Sequence, residues 1–310
     1  MRESEKLDIH QSITDKIIAA LEAGVGEARL PWHRAGVYGL TPRNADTGVS
    51  YNGINVLSLW ATAEARSYAQ PVWATYRQWQ GLGAQVRKGE KAALVVFYKQ
   101  FDVDPRDDDP EDDGKRRVAK ASWVFNAAQV DGYVPPEPLP PLEPITRIAQ
   151  VESFVAATGA VIEVGGERAY YRRSSDKVCM PDENLFRSSN RTEDWYAIAL
   201  HELGHWSGAP HRLNRQFGER FGDEAYAFEE LVAELCSAFF CADLGISPAM
   251  RDDHATYIAN WLEVLKRDNR AVFHAAAKAS EAAKYLARFS SASLVPPQLG
   301  SGAQQTPCPA

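Results

Sequence analysis

Near the start of the chain Ile9, Ile13, Ile17 and Leu21 recur every four positions, with Ile18 beside them. This spacing predicts an amphipathic helix that Gly24 ends. From Pro31 to Phe101 the pattern changes to aromatics and glycines among polar residues, and closes in AALVVFYKQF, an apolar run of strand length rich in Val and aromatics. DVDPRDDDPEDDGKRR follows, charged and broken by proline, and reads as an exposed loop because it has no apolar surface to bury. KASWVFNAAQV then resumes as a strand, so the acidic stretch 104–117 reads as an insertion between two paired strands. VPPEPLPPLEP, at 134–144, disfavours helix and sheet interior and predicts an extended spacer. Beyond it ITRIAQVESFVAATG predicts a helix ending at Gly159, AVIEVG a short strand, and RAYYRRSSDKVCMP a strand, a turn and a strand. Helical patterns dominate from there to about residue 290, and 291–310 reads as a disordered tail.

These elements predict an α+β chain of two domains, which 310 residues can accommodate. A composition of 45% hydrophobic and 24% charged residues is that of a soluble globular protein. The opening MRESEKLDIHQSITDKI lacks an apolar signal region, and no uninterrupted apolar run is long enough to span a membrane. Cys179, Cys236, Cys241 and Cys308 form no CxxC pair and are too irregular for a disulfide framework, so they are expected as reduced thiols in a cytoplasm. A formal net charge of −7 argues against a protein that coats nucleic acid with its whole surface, yet the segment from Arg29 to Lys99 is locally basic.

The strongest chemical signal is HELGH, from His201 to His205, inside DWYAIALHELGHWSG. Asn190, Thr192, Glu193 and Asp194 precede it as a capped helix start would require. Four residues apart on a helix, the two imidazoles share a face and can reach one zinc ion, while Glu202 can act as base toward a water on that ion. Two candidates compete for the third ligand. YAFEELVAELCSAFFC predicts a second helix with an ExxAE string at Glu230, Ala233 and Glu234, where Glu230 would bind and Glu234 would orient a histidine. Glu229 is the lesser alternative, since it lacks that carboxylate partner four residues on. HELGHWSGAPH also satisfies HExxHxxGxxH, in which Gly208 turns the chain and His211 binds, a pattern that needs a methionine turn for which Met250 is the one downstream candidate. Glu230 is preferred because a carboxylate-bearing helix is present and a convincing methionine turn is not. Three protein ligands and an open position predict peptide hydrolysis. Tyr226, His211 and Tyr257 stay open as oxyanion donors, and His254 and His274 are assigned no role.

PWHRAGVYGLTPRNADTGVSYNGINVLSLW, VWATYRQWQGLGAQVRKGEKAALVVFY, HELGHWSGAPHRLNR and EELVAEL together resemble the ArdC-like antirestriction proteins of conjugative plasmids, in order and spacing over most of the chain. The resemblance implies an N-terminal domain at 1–133 that binds single-stranded DNA, joined through 134–144 to a zincin-like metallopeptidase domain at 145–290 carrying one Zn2+ per chain. It also implies an antirestriction role during plasmid conjugation, with the protein partner or substrate unknown. The chain departs from many relatives after Gly208, where the histidine stands at 211. In agreement with single-strand binding, Trp32, Tyr38, Tyr51, Trp73, Tyr76 and Trp79 offer ring faces, and Arg43, Arg77, Arg87, Lys88 and Lys91 can track phosphates. The competing expectation is a protective binding protein whose zincin domain is structural or binds a partner.

Overall fold

The computed structural model of the chain describes residues 8–24, 41–102, 115–134, 144–186, 190–217, 224–246 and 254–289. The acidic stretch, the proline-rich spacer and the C-terminal tail expected from sequence lie largely or wholly outside these residues.

Helix α1, Ile9–Gly24, buries Ile13, Ile17 and Leu21 as its spacing dictates. Strands β1 (Arg43–Asn44) and β2 (Val72–Ala74) run parallel, and β2 continues antiparallel into β5 (Lys115–Asn126) and then β4 (Ala93–Asp102). The last two form the long hairpin expected on either side of the acidic stretch, in register from Ala93 opposite Val124 to Asp102 opposite Lys115. Between β1 and β2, helix α2 (Ile54–Ala65) is buried from Ile54 to Ala63. It is tied to β4 by Asn55, which donates to the Val96 carbonyl at 2.8 Å and accepts the Val96 N–H at 2.7 Å. Helix α3 (Tyr76–Gly81) is held by a reciprocal cap between Thr75 and Gln78. It packs, with strands β3 (Gln85–Val86) and β6 (Val130–Asp131), around a small separate core that includes Trp79.

The second half opens with α4, Pro144–Ala157, then a three-stranded sheet in the order β7 (Val161–Val164), β9 (Lys177–Met180), β8 (Tyr170–Arg172). Helices α5 (Arg191–Ser207), α6 (Glu224–Leu244), α7 (His254–Arg267) and α8 (Ala271–Ala287) complete it. One continuous apolar core joins both halves: the Trp60 ring of α2 meets Phe239 of α6 at 6.0 Å between centroids. Thr14 of α1 donates to the Asn269 carbonyl at 2.7 Å, and the Gly53 N–H to Ser280 Oγ at 3.0 Å. Gly53 stands at φ 56°, a left-handed value that glycine reaches without strain, and α2 starts there.

The start of α5 departs from expectation. Asn190 makes no side-chain cap; Thr192 Oγ1 instead donates to Glu183 Oε1 at 2.5 Å, and Arg191 pairs with the same carboxylate at 3.5 Å. Cys179, Cys236 and Cys241 are buried free thiols. Among the described residues no helix is long and apolar enough to cross a membrane.

Candidate metal centre

His201 and His205 lie one turn apart on α5, and α6 brings Glu230 against them. Glu230 Oε2 is 3.5 Å from His201 Nε2, and its Oε1 is 3.5 Å from His205 Nε2. One ligand atom from each of the three residues falls within 4.8 Å of the other two. Donors about 2.1 Å from a tetrahedral ion stand roughly 3.4 Å apart. Two nitrogens and a carboxylate, all buried and converging at this spacing, therefore fit a divalent ion.

The rear nitrogens face carboxylates: Nδ1 of His201 lies 3.5 Å from Glu234 Oε2, and Nδ1 of His205 lies 3.2 Å from Glu229 Oε1. A carboxylate behind each imidazole favours the tautomer whose Nε2 is free to bind metal. Burial pulls the pKa of both histidines down, but the surrounding glutamates outweigh it and hold His201 at about 8 and His205 at about 10. Burial likewise opposes ionisation of Glu230, yet hydrogen bonds from the two imidazoles keep its carboxyl below the usual range. Glu202 is buried and lines the same open cleft, together with Tyr170, Tyr171, Arg173, Phe217 and Tyr226. Arg173 stacks over the Phe217 ring at 4.8 Å.

His211 does not join this cluster. Its side chain is 62% exposed and its Nε2 lies 3.3 Å from Asp176 Oδ2. The neighbouring Arg212 bonds Asp176 at 3.0 Å and the Trp206 carbonyl at 2.6 Å, and stacks over the Trp206 ring at 3.7 Å, which anchors the loop away from Glu230. Gly208, at φ −81°, ends α5 where the chain turns, and its lack of a side chain makes room for Arg215 rather than bringing His211 to the cluster. Glu229 sits behind His205, paired to Arg215. Sequence reasoning passed over that arginine, although a second glutamate beside Glu230 on a buried helix called for a counter-charge. Tyr226 lines the cleft, whereas Met250 and the side chains of Tyr257 and His254 lie outside the described residues, and His274 is exposed on α8.

The candidate nucleic-acid residues divide. Trp73 is 1% exposed and Tyr51 8%, so both rings belong to the core rather than to a stacking surface, and Trp79 is buried with its indole N–H on the Phe125 carbonyl at 3.0 Å. Arg43 is half-buried, and Arg87 is already paired with Glu90 at 3.1 Å and Asp131 at 3.3 Å. Arg77, Lys88 and Lys91 are exposed. The rings that do face outward include Tyr76 and, on the β4–β5 hairpin, Phe97 and Phe101 on one face with Lys99 and Lys120, and Tyr98 and Trp123 on the other. Trp32 and Tyr38 lie outside the described residues.

Two family models cover most of the chain: the N-terminal domain of anti-restriction factor ArdC over residues 7–125, and a zincin-like metallopeptidase over residues 149–278. Uncharacterized protein y4eC of Sinorhizobium fredii is 50% identical over 284 residues, 90% of this chain and 91% of that protein. A DNA primase TraC of Escherichia coli is 36% identical over 304 residues, which take in 92% of this chain and only 27% of the primase. Crystal structures of the antirestriction ArdC protein from R388 plasmid, metal-free and Mn(II)-bound, are each 38% identical and cover 91% of this chain and 98% of theirs, with TM-scores of 0.73 and 0.72. With an ArdC N-terminal domain, a zincin-like domain after it and a relative matched along nearly its whole length, the chain belongs to the ArdC antirestriction family.

Proposed function

We propose that the protein is an antirestriction factor that binds single-stranded DNA through its N-terminal half and carries a zinc-dependent peptidase in its C-terminal half. The convergence of His201, His205 and Glu230 at the floor of an open cleft, with Glu202 beside them, carries this reading. A divalent ion there supplies Lewis acidity and an acidified water. His201 and His205 would each present Nε2, Glu230 one oxygen, and Glu202 would take a proton in the cleft and return it to the leaving amine. The donor set suits zinc; the Mn(II)-bound ArdC relative shows that a first-row divalent ion binds a member of the family. On the N-terminal half, Arg77, Lys88 and Lys91 would meet phosphates, and Phe97 and Phe101, on one face of the hairpin, would offer rings to bases. Arg43 would contribute positive potential at longer range, Arg87, its charge met by Glu90 and Asp131, would brace the surface through the Ala128 and Val130 carbonyls, and Tyr51 and Trp73 would support it from the core. A cytoplasmic setting is part of the same reading, supported by the three buried free thiols among the described residues.

The test is metal analysis of the purified protein combined with proteolysis assays, with and without single-stranded DNA, on the wild type and Glu202→Ala. About one metal per chain and cleavage that vanishes in the variant support the reading. Stoichiometric metal without cleavage under either condition removes the enzyme. Antirestriction that survives Glu202→Ala would assign protection to DNA binding alone.

A further inference from the structure

The metal centre has a support that comes from neither of its two helices. After α5 the chain folds back on itself: Leu213 N–H bonds the Ser207 carbonyl at 3.1 Å, Asn214 the Ala209 carbonyl at 3.0 Å, and Arg215 the Gly208 carbonyl at 2.9 Å. This delivers the Arg215 side chain, almost fully buried, beneath the last turn of α5. There its Nε donates to Glu229 Oε2 at 2.9 Å and its Nη2 to Glu229 Oε1 at 2.7 Å. Nη2 also reaches the Gly204 carbonyl at 2.6 Å, and Nη1 reaches Ser207 Oγ at 2.9 Å. Glu229 Oε1 is the same oxygen that faces Nδ1 of His205 at 3.2 Å.

We propose that Arg215 is a positioning residue for the metal centre: by clamping Glu229 it fixes the His205 ring so that Nδ1 points back and Nε2 points at the metal position. The proposal rests on the metal-binding reading above. A buried carboxylate needs a partner to stay ionised, and a planar guanidinium that engages both its oxygens also fixes its plane. With the carboxylate immobile, the imidazole has one good orientation in which to donate Nδ1–H. His201 is held more loosely, since its Nδ1 is 3.5 Å from Glu234, so His205 is the stiffer arm. Room for the clamp is built into the backbone: a β-carbon on Gly208 would come 2.8 Å from Arg215 Nη2.

The experiment titrates chelator-stripped protein with Zn2+ against a chromophoric competitor, for the wild type, Arg215→Lys, Arg215→Ala and the double variant Arg215→Ala/Glu229→Gln. Thermal unfolding of each metal-free protein runs alongside. Loss of an outer partner of a metal ligand costs about 10–100-fold in affinity, and that loss is expected in every variant, including Arg215→Lys, which keeps the charge but not the fork. A role confined to bracing the loop would instead lower the melting temperature and leave the affinity of the folded protein unchanged. Folded Arg215→Lys with wild-type affinity overturns the proposal. If Arg215→Ala fails to fold because Glu229 is left unpaired, the double variant carries the test, and wild-type affinity there overturns it equally. A wild type that binds no Zn2+ takes the metal-centre reading down with the proposal; a wild type that binds beside unaffected variants removes the proposal alone.

Discussion

A β-carbon placed on Gly204 would stand 3.1 Å from the α-carbon of Ala233, so the two helices that build the metal centre touch backbone to backbone at this point. Glu230 reaches both imidazoles because of that approach. Gly204→Ala should push α6 off α5, costing about 1–3 kcal/mol of stability, and should also weaken metal binding by displacing Glu230. Melting temperature and zinc affinity measured together check this; a stable variant with unaltered affinity would contradict it.

The placement of Glu230 at the cluster and of His211 beside Asp176 makes opposite predictions for two variants. Glu230→Ala removes a donor, so its metal affinity should fall by more than the roughly 100-fold that an outer partner can cost. His211→Ala touches an exposed ring and should leave affinity within about twofold, the scatter expected of a surface change. Competition titration decides between them.

A helix with one wet face was legible in the sequence, and a helix without one was not. The i, i+4 run from Ile13 to Leu21 announced α1 because its exposed side breaks the pattern periodically, whereas AALVVFYKQF announced its strand by length and by Val and aromatic content, Ala93 to Val96 being buried on both faces. Helix α2 has no such side: Ile54 to Ala63 are all buried between α1, β4 and α8, so nothing periodic marks it, and its start at Gly53 carries no capping side chain. At the metal centre, local spacing was enough for His201, Glu202 and His205. The carboxylate-bearing helix already favoured Glu230 over His211, but what keeps His211 away is tertiary, namely that Arg212 fastens the following loop to Asp176 and Trp206. Trp73 and Tyr51 show the limit for the N-terminal half, since an aromatic list does not distinguish core from surface.

Lys16 gives a prediction in pH. Its ammonium lies 3.5 Å from Ser58 Oγ, and burial, with Arg66 nearby, lowers its pKa from 10.5 to about 8. Between those values the unfolded chain binds the proton that the folded chain has lost, so stability from this group rises with pH across that window and the cost is fully present below about 8. Lys16→Met should therefore raise stability at pH 7 by at most about 3 kcal/mol. The advantage should vanish above pH 10.5, where neither state is charged. Denaturant unfolding at the two pH values, with chelator present in both, measures the difference.

For the N-terminal half, burial separates residues that hold the fold from residues free to touch DNA. Trp73→Ala empties a fully enclosed site, so it should cost about 3–5 kcal/mol of stability, and any loss of DNA binding should follow the loss of folded protein. Lys88 and Lys91 are exposed, so Lys88→Ser/Lys91→Ser should leave the melting temperature nearly unchanged. If both contact phosphates, the slope of log affinity against log salt should become shallower by about 1.4, at roughly 0.7 per phosphate on a single strand. Phe97→Ala removes a half-exposed ring from the hairpin and tests stacking separately: a loss of about 1–3 kcal/mol of binding with the salt slope intact is the signature of a base face. Fluorescence titration of a labelled oligonucleotide at several salt concentrations reads both quantities. A slope unchanged in the double lysine variant, with Phe97→Ala binding as the wild type does, would move the DNA surface elsewhere on the molecule.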